Sequence, residues 1–268
     1  MPKIDWRGQV VLVTGASSGI GRAFALLLAE RGAELVLLAR SQEKLEQLAS
    51  EVVAKGAAGA HVIVADLAEP GAVSGALEQL KQRQLSVAHL INNAGLGNAM
   101  AVAKADVPTL LRMIHLNCGA LTELTARLLP AMIERRGGGV LQVASMVAFY
   151  PSPYMAVYAA TKAYVLSLSE ALSVELSGSG VRVSALCPGQ VPTGFQATAG
   201  FGKDEVAVPG TLSAQRTAAL ALSGYERNKT VFVPGFLNRL SAWFMVQLPR
   251  RWVAKIAAGV LAKMGRFD

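Results

Sequence analysis

The chain has little of what builds metal and disulfide sites: its 268 residues include only two cysteines and three histidines. Cys118 reads as helical and Cys187 as a strand end, so both are expected to be reduced core thiols, with no disulfide framework. His61, His89 and His115 are scattered without ligand spacing, and no metal site is expected. No stretch approaches the roughly 18 uninterrupted apolar residues of a membrane span. Met1 to Gly8 carries no apolar signal run before the first strand. A metal-free cytoplasmic protein is the expectation.

Low-complexity linkers and internal repeats are also missing. Strand-like and helix-like segments alternate as far as residue 187. That alternation predicts one α/β domain, with a doubly wound parallel sheet between two helix layers. The length is enough for one large core.

Among these elements, Gln9 to Thr14 reads as a buried β-branched strand, and Arg22 to Arg31 has helical apolar spacing ending at Gly32. Between them stands Thr14-Gly15-Ala16-Ser17-Ser18-Gly19-Ile20-Gly21. Strand, glycine loop and helix aim backbone N–H groups and a positive helix end at a phosphate. The spacing is Gly-x-x-x-Gly-x-Gly, distinct from the commoner Gly-x-Gly-x-x-Gly dinucleotide fingerprint. The plain alternative is an ordinary Gly/Ser turn. The second strand, Glu34 to Ala39, ends in Arg40 and Ser41. An acidic residue there would bond a ribose 2′-hydroxyl, whereas a guanidinium forks onto a 2′-phosphate. Arg40 therefore favours NADP(H) over NAD(H); the plain alternative is a solvated residue before a helix that Ser41 caps.

Further along, Tyr158-Ala-Ala-Thr-Lys162 places a phenol and an ammonium one helical turn apart. A free tyrosine titrates at about pH 10, and a neighbouring cation would lower that value towards the working range. By itself this spacing describes an ordinary solvated pair.

Taken together, these motifs resemble the short-chain dehydrogenase/reductase family, in its short single-domain branch, from about Gln9 to Thr193. Gly15, Ser17, Ser18, Gly19, Ile20 and Gly21 match its glycine loop. Asp66-Leu67, after a strand at 61–65, match the pair that contacts adenine. Asn92-Asn93-Ala94-Gly95 match the turn after the fourth strand, with Asn93, Ala94 and Gly95 at the cofactor. Asn117, in a long helix from about Asp106 to Arg136, matches the catalytic asparagine. Ser145, at the end of the fifth strand, lies the usual separation before Tyr158. Pro188-Gly189, Val191 and Thr193 match the turn bordering the nicotinamide.

The resemblance implies a Rossmann-type fold and hydride transfer between NADPH and a carbonyl or alcohol. Tyr158 would then be the acid, and Ser145 would orient the carbonyl. Lys162 would tune Tyr158 and bond the ribose, while Asn117 would hold a relay water. A homo-oligomer, dimer or tetramer, is implied through the helices at 106–136 and 153–176.

The net charge of +8 is concentrated at one end, where residues 226–268 carry eight Lys/Arg against Glu226 and Asp268. This C-terminal extension, from about residue 234, holds Phe236-Leu237, Leu240, Trp243-Phe244-Met245 and Leu248 before Pro249-Arg250-Arg251-Trp252, then a second helical stretch to Met264. Dispersed charges favour a subunit interface or lid over peripheral membrane contact. No nucleic-acid motif accompanies them. Residues 190–225 read as a substrate flap, with Phe195 and with Phe201 between Gly200 and Gly202. Met146, Val147, Phe149 and Tyr150 add apolar surface after Ser145, so the expected substrate is a hydrophobic ketone or aldehyde. Two other readings stand beside it: a membrane-peripheral lipid or acyl-chain reductase, and a non-catalytic NADPH sensor.

Overall fold

Strand residues of alternating facing and nearly uniform apolarity make a sheet buried on both sides. The computed structural model describes residues 3–200 and 209–264. Its strands β1 (Val10–Thr14), β2 (Glu34–Ala39), β3 (Gly59–Val64), β4 (His89–Asn92), β5 (Gly139–Val143), β6 (Arg182–Leu186) and β7 (Val231–Phe232) are all parallel. They lie in the order β3-β2-β1-β4-β5-β6-β7. Between them run α1 (Gly19–Ala29), α2 (Gln42–Ala54), α3 (Ala72–Gln82), α4 (Val107–Ile114), α5 (Leu121–Glu134), α6 (Ala156–Glu175), α7 (Phe195–Thr198) and α8 (Ala214–Glu226). Two further helices, α9 (Phe236–Gln247) and α10 (Arg250–Met264), follow the last strand.

The period-2 facing of strand residues divides the interior into two layers. Val11, Val13, Leu35 and Leu37 pack with Phe24 and Leu28 of α1, Leu45 of α2 and Tyr225 of α8. Leu12, Val36, Leu38 and Leu90 face the other way, onto Val73 and Ala76 of α3 and Leu124 and Met132 of α5. The doubly wound sheet with helices on both faces is therefore as the sequence predicts. The strand order reverses between β1 and β4, and such switch points open a crevice at the carboxyl ends of the strands.

Several expected boundaries shift. The helix predicted over 106–136 is α4 and α5 joined by a π-helical turn, His115–Ala120, with Asn117 inside it. It starts where Asp106 caps α4 by accepting from Thr109 N at 2.9 Å. The helix expected at 153–176 is α6, Ala156–Glu175. The third strand lies at 59–64, earlier than the predicted 61–65, and Ser145 sits two residues beyond the end of β5. Helix α1 starts at Gly19, a turn before the predicted start. Strand β7 has no counterpart among the predicted elements, because two residues before Pro234 give no readable period.

Candidate active site

The crevice is built first by hydrogen bonds that tie the loop after β1 to the loop after β4. Thr14 Oγ1 accepts from the backbone N–H groups of Asn93 and Ala94, each at 3.0 Å. Asn93 Nδ2 in turn donates to Thr14 O at 3.0 Å and Gly15 O at 3.2 Å. The Asn93 side chain thus holds the glycine loop in shape. Gly15 and Gly19 have φ of 65° and 56°, which residues with a Cβ adopt rarely. At Gly21 a Cβ would run into the Gly15 carbonyl and the Asn93 amide.

This loop fits a dinucleotide pyrophosphate. Helix α1 opens beside it with no acidic residue in its first turn, and Ser18 stands at the N-cap without a side-chain capping bond. Thr193 closes the far side, since a Cβ on Gly19 would lie 3.1 Å from Thr193 Cγ2. Ser17 and Ile20 are part of the same loop and first turn, partly buried. Pro188 follows β6 and is buried, as is Val191, whose carbonyl accepts from Gln196 Nε2 at 2.6 Å.

At the other end of the crevice, Asp66 Oδ1 accepts from Ala68 N at 3.0 Å and Leu67 is buried. Asp66 Oδ2 pairs with Arg112 of α4, and Arg40 Nη1 lies 3.9 Å away. Arg40 keeps 63% of its side chain exposed beside the loop. Ser41 occupies the N-cap of α2, but its hydroxyl makes no capping bond, which counts against the plain alternative for this turn. A guanidinium and an uncommitted hydroxyl side by side suit a phosphate.

Tyr158 and Lys162 lie on the inner face of α6, only 7% and 4% exposed, so they are not a solvated pair. The Ser145 hydroxyl, which accepts from Val147 N at 3.4 Å, is near enough to the Tyr158 phenol to hold its pKa down. Lys162 Nζ donates to Val143 O at 2.8 Å and sits 5.7 Å from the Tyr158 ring centre. A Cβ on Gly95 would approach Lys162 Nζ at 3.5 Å and Asn117 Oδ1 at 3.3 Å, which places Gly95 against both residues.

The titration behaviour differs from the sequence expectation. Burial pushes the Tyr158 phenol up to about 12, opposed by the Ser145 hydroxyl. Burial also pulls Lys162 down to about 8. In the protein alone, desolvation outweighs any help from the ammonium, because Nζ is drawn towards the end of β5.

Asn117 is 1% exposed, and both of its amide hydrogens are engaged. Nδ2 donates to Leu96 O at 2.9 Å and Thr161 Oγ1 at 3.0 Å, while Oδ1 accepts from Leu96 N at 2.9 Å. Its side chain therefore fixes the loop after β4 onto α6. Any water it holds would have to sit on the free lone pair of Oδ1 or on its backbone carbonyl.

The mouth is apolar. Ala99, Met113, Met155 and Leu261 of α10 pack around Tyr158, with Val147 and Phe195 beside them. The Phe195 ring lies 5.5 Å from that of Tyr158. Phe149 packs elsewhere, near Val165 and Cys187. Burial raises the pKa of Tyr150. Of the predicted flap, residues 201–208, with Phe201 and Gly202, lie outside the described residues, as do Arg266 and Asp268 of the tail. Among the described residues no metal-binding group of histidine, cysteine and carboxylate occurs, and no helix is long and apolar enough to cross a membrane.

Two residues have a place here that the sequence did not reveal. Arg112, which belongs to none of the motifs, pairs with Asp66. Asn238 of α9 is buried against Gly189, and only its polarity within an apolar run could have drawn notice.

Comparison with known proteins agrees with this geometry. The family model described as short chain dehydrogenase matches residues 9–203. A very-long-chain 3-oxoacyl-CoA reductase of Anas platyrhynchos is 35% identical over 190 residues, covering 69% of this chain and 61% of that protein. The match thus spans under two thirds of the relative's length. A short-chain dehydrogenase from Sphingobium yanoikuyae, solved in complex with NADPH, is 32% identical with a TM-score of 0.79, covering 97% of this chain and 98% of its own. A bulky-bulky ketone specific alcohol dehydrogenase from Comamonas testosteroni is 28% identical with a TM-score of 0.75, covering 97% and 96%. The chain belongs to the short-chain dehydrogenase family, whose members are oxidoreductases acting on C=O and CH–OH groups.

Proposed function

We propose that the protein is an NADP-dependent reductase of hydrophobic ketones or aldehydes, with secondary alcohol oxidation as the reverse reaction. The observation that carries this reading is the buried Tyr158, one turn from the buried Lys162 and beside Ser145, in a fold that also builds a phosphate-shaped glycine loop. NADPH, when bound, would supply the hydride for the carbonyl carbon. Tyr158, protonated at neutral pH, gives its proton to the carbonyl oxygen as charge builds there. Ser145 donates a hydrogen bond to the same oxygen and lowers the cost of that charge. Lys162, cationic below about pH 8, stabilises the phenolate left on Tyr158. Asn117 keeps Leu96 and Thr161 in place beside Lys162.

Arg40 and Ser41 support NADP(H) over NAD(H), as does the NADPH-complexed relative. The apolar mouth supports a substrate with a hydrophobic body. Relatives named for 3-oxoacyl-CoA and for bulky ketones are consistent with an acyl or bulky carbonyl. Leu111, Tyr164 and Val174 are exposed on α4 and α6 and support a homo-oligomer through these helices.

The test is consumption of NADPH and of NADH with a chain-length series of ketones and aldehydes, beside Tyr158→Phe. Turnover with NADPH that disappears in the variant is expected. Tight NADPH binding without turnover on any carbonyl would favour the sensor reading.

A further inference from the structure

We infer that α9 and α10 form a docking surface for an anionic lipid bilayer. Helix α9 is amphipathic the wrong way round for a helix serving only the core. Asn238 and Ala242 face the protein, while Phe236, Leu240, Trp243 and Phe244 recur on the opposite side, exposed to solvent. Trp243 is 62% exposed. Helix α10 buries Val253, Ala257 and Leu261, and its next stripe, Trp252 and Ile256, is exposed, with Trp252 at 65%. Two large tryptophans and two phenylalanines in water on adjacent helices exceed the scattered apolar exposure of an ordinary monomer surface.

The charge pattern selects the occupant. Arg239, Arg250, Arg251 and Lys255 are exposed on the same two helices, and the sequence has no acidic residue from Arg227 to Phe267. None of the four forms an ion pair with a described residue. Arg250 and Arg251 stand in the first turn of α10, where the helix dipole disfavours cations, so they do not serve the stability of that helix. A two-fold contact with a second copy would bring the same cations face to face without acids to meet them. An anionic headgroup layer supplies the missing negative charge, and its acyl boundary takes the tryptophans and phenylalanines.

This proposal goes beyond the reaction and does not rest on it, because it is tested without substrate or cofactor. The full chain is mixed with vesicles of phosphatidylcholine alone and of phosphatidylcholine with phosphatidylglycerol, then sedimented at low and high salt. Trp243 and Trp252 are two of the three tryptophans, and Trp6 is buried, so quenching by brominated lipid reports the face directly. The expected result is binding to the anionic vesicles, weakened by salt, with quenched emission. Arg250→Gln with Arg251→Gln should weaken it about 25-fold, at about fivefold per cation. Trp243→Ser with Phe244→Ser should weaken it at least tenfold while circular dichroism stays unchanged. Failure of the unmodified chain to bind, or binding indifferent to both double variants, would overturn the proposal. An oligomer that Trp243→Ser with Phe244→Ser dissociates, without vesicle binding, would assign the face to a second copy instead.

Discussion

The amide of Asn238, on α9, occupies the space that a side chain at Gly189 would need: an added Cβ would lie 2.9 Å from both Nδ2 and Oδ1. That amide cannot easily give way. Nδ2 donates to Gly210 O at 2.9 Å and to Pro234 O at 2.8 Å, and the residue is buried. One side chain thus joins the turn after β6, the chain ahead of α8 and the start of the C-terminal extension. Gly189→Ala is expected to cost about 1–3 kcal/mol of stability through overpacking. Asn238→Ala leaves two carbonyls without their donor and is expected to cost about 2 kcal/mol. Urea unfolding of both variants measures these costs. Wild-type stability in either would mean that the extension is not anchored through this contact.

Arg40 gives a second prediction, on the cofactor. Its guanidinium is mostly exposed and its contact with Asp66 is loose at 3.9 Å, so little holds it away from a 2′-phosphate. Charged hydrogen bonds of this kind contribute about 1.5–3 kcal/mol. Arg40→Ala should therefore raise KM for NADPH by about ten- to hundredfold and leave that for NADH nearly unchanged. An equal change for both cofactors would remove Arg40 as the selecting residue.

A third prediction concerns pH. Lys162 titrates at about 8 in the protein alone, below its ordinary value, so it is cationic on the acid side and neutral on the alkaline side. Tyr158, pushed up to about 12, stays protonated across the same range. For carbonyl reduction, kcat/KM should be level from pH 6 to about 7.5 and fall tenfold per unit above about 8, since this ratio reports free-enzyme groups. A profile level to pH 10 would mean that the charge on Lys162 is not required.

Much of this site is readable along the chain because its parts are local. Thr14 to Gly21 and Tyr158 to Lys162 each lie within one loop or one helical turn, where spacing alone fixes which atoms meet. The parallel sheet between two helix layers follows from the alternation of strand and helix as far as β6, and β7 escapes it only because that strand has two residues. What could not be read depends on distance in sequence. Asn238 reaches Gly210 across 28 residues, and the Asp66–Arg112 pair spans 46. The direction of the Tyr158 shift depends on Met113, Phe195 and Leu261 closing around it from three separate elements. The outward stripe of α9 is legible as a stripe, but no pattern says which side meets the protein.

Far from the crevice, at the amino-terminal end of β4, a buried histidine makes the fold sensitive to acid. His89 Nδ1 lies 2.8 Å from the Tyr225 hydroxyl, and the Trp6 ring is 4.8 Å away. Burial, with the charges of Arg182 and Arg135 behind it, holds this imidazole down at about 3. The folded value lies below the unfolded one, so the unfolded chain takes up the proton first as pH falls. Stability should therefore be full above about pH 6.5 and decline below it, by about 1.4 kcal/mol per pH unit, until the folded value is reached. Between pH 6.5 and 5 this amounts to about 2 kcal/mol. His89→Gln keeps a polar group near Tyr225 but cannot titrate, so it should lower stability at every pH while removing most of that slope. Urea unfolding of the two proteins at pH 7, 6 and 5 separates the effects, because the slope reports the proton and the offset reports the packing. Equal slopes would show that His89 is protonated as readily in the fold as in the unfolded chain.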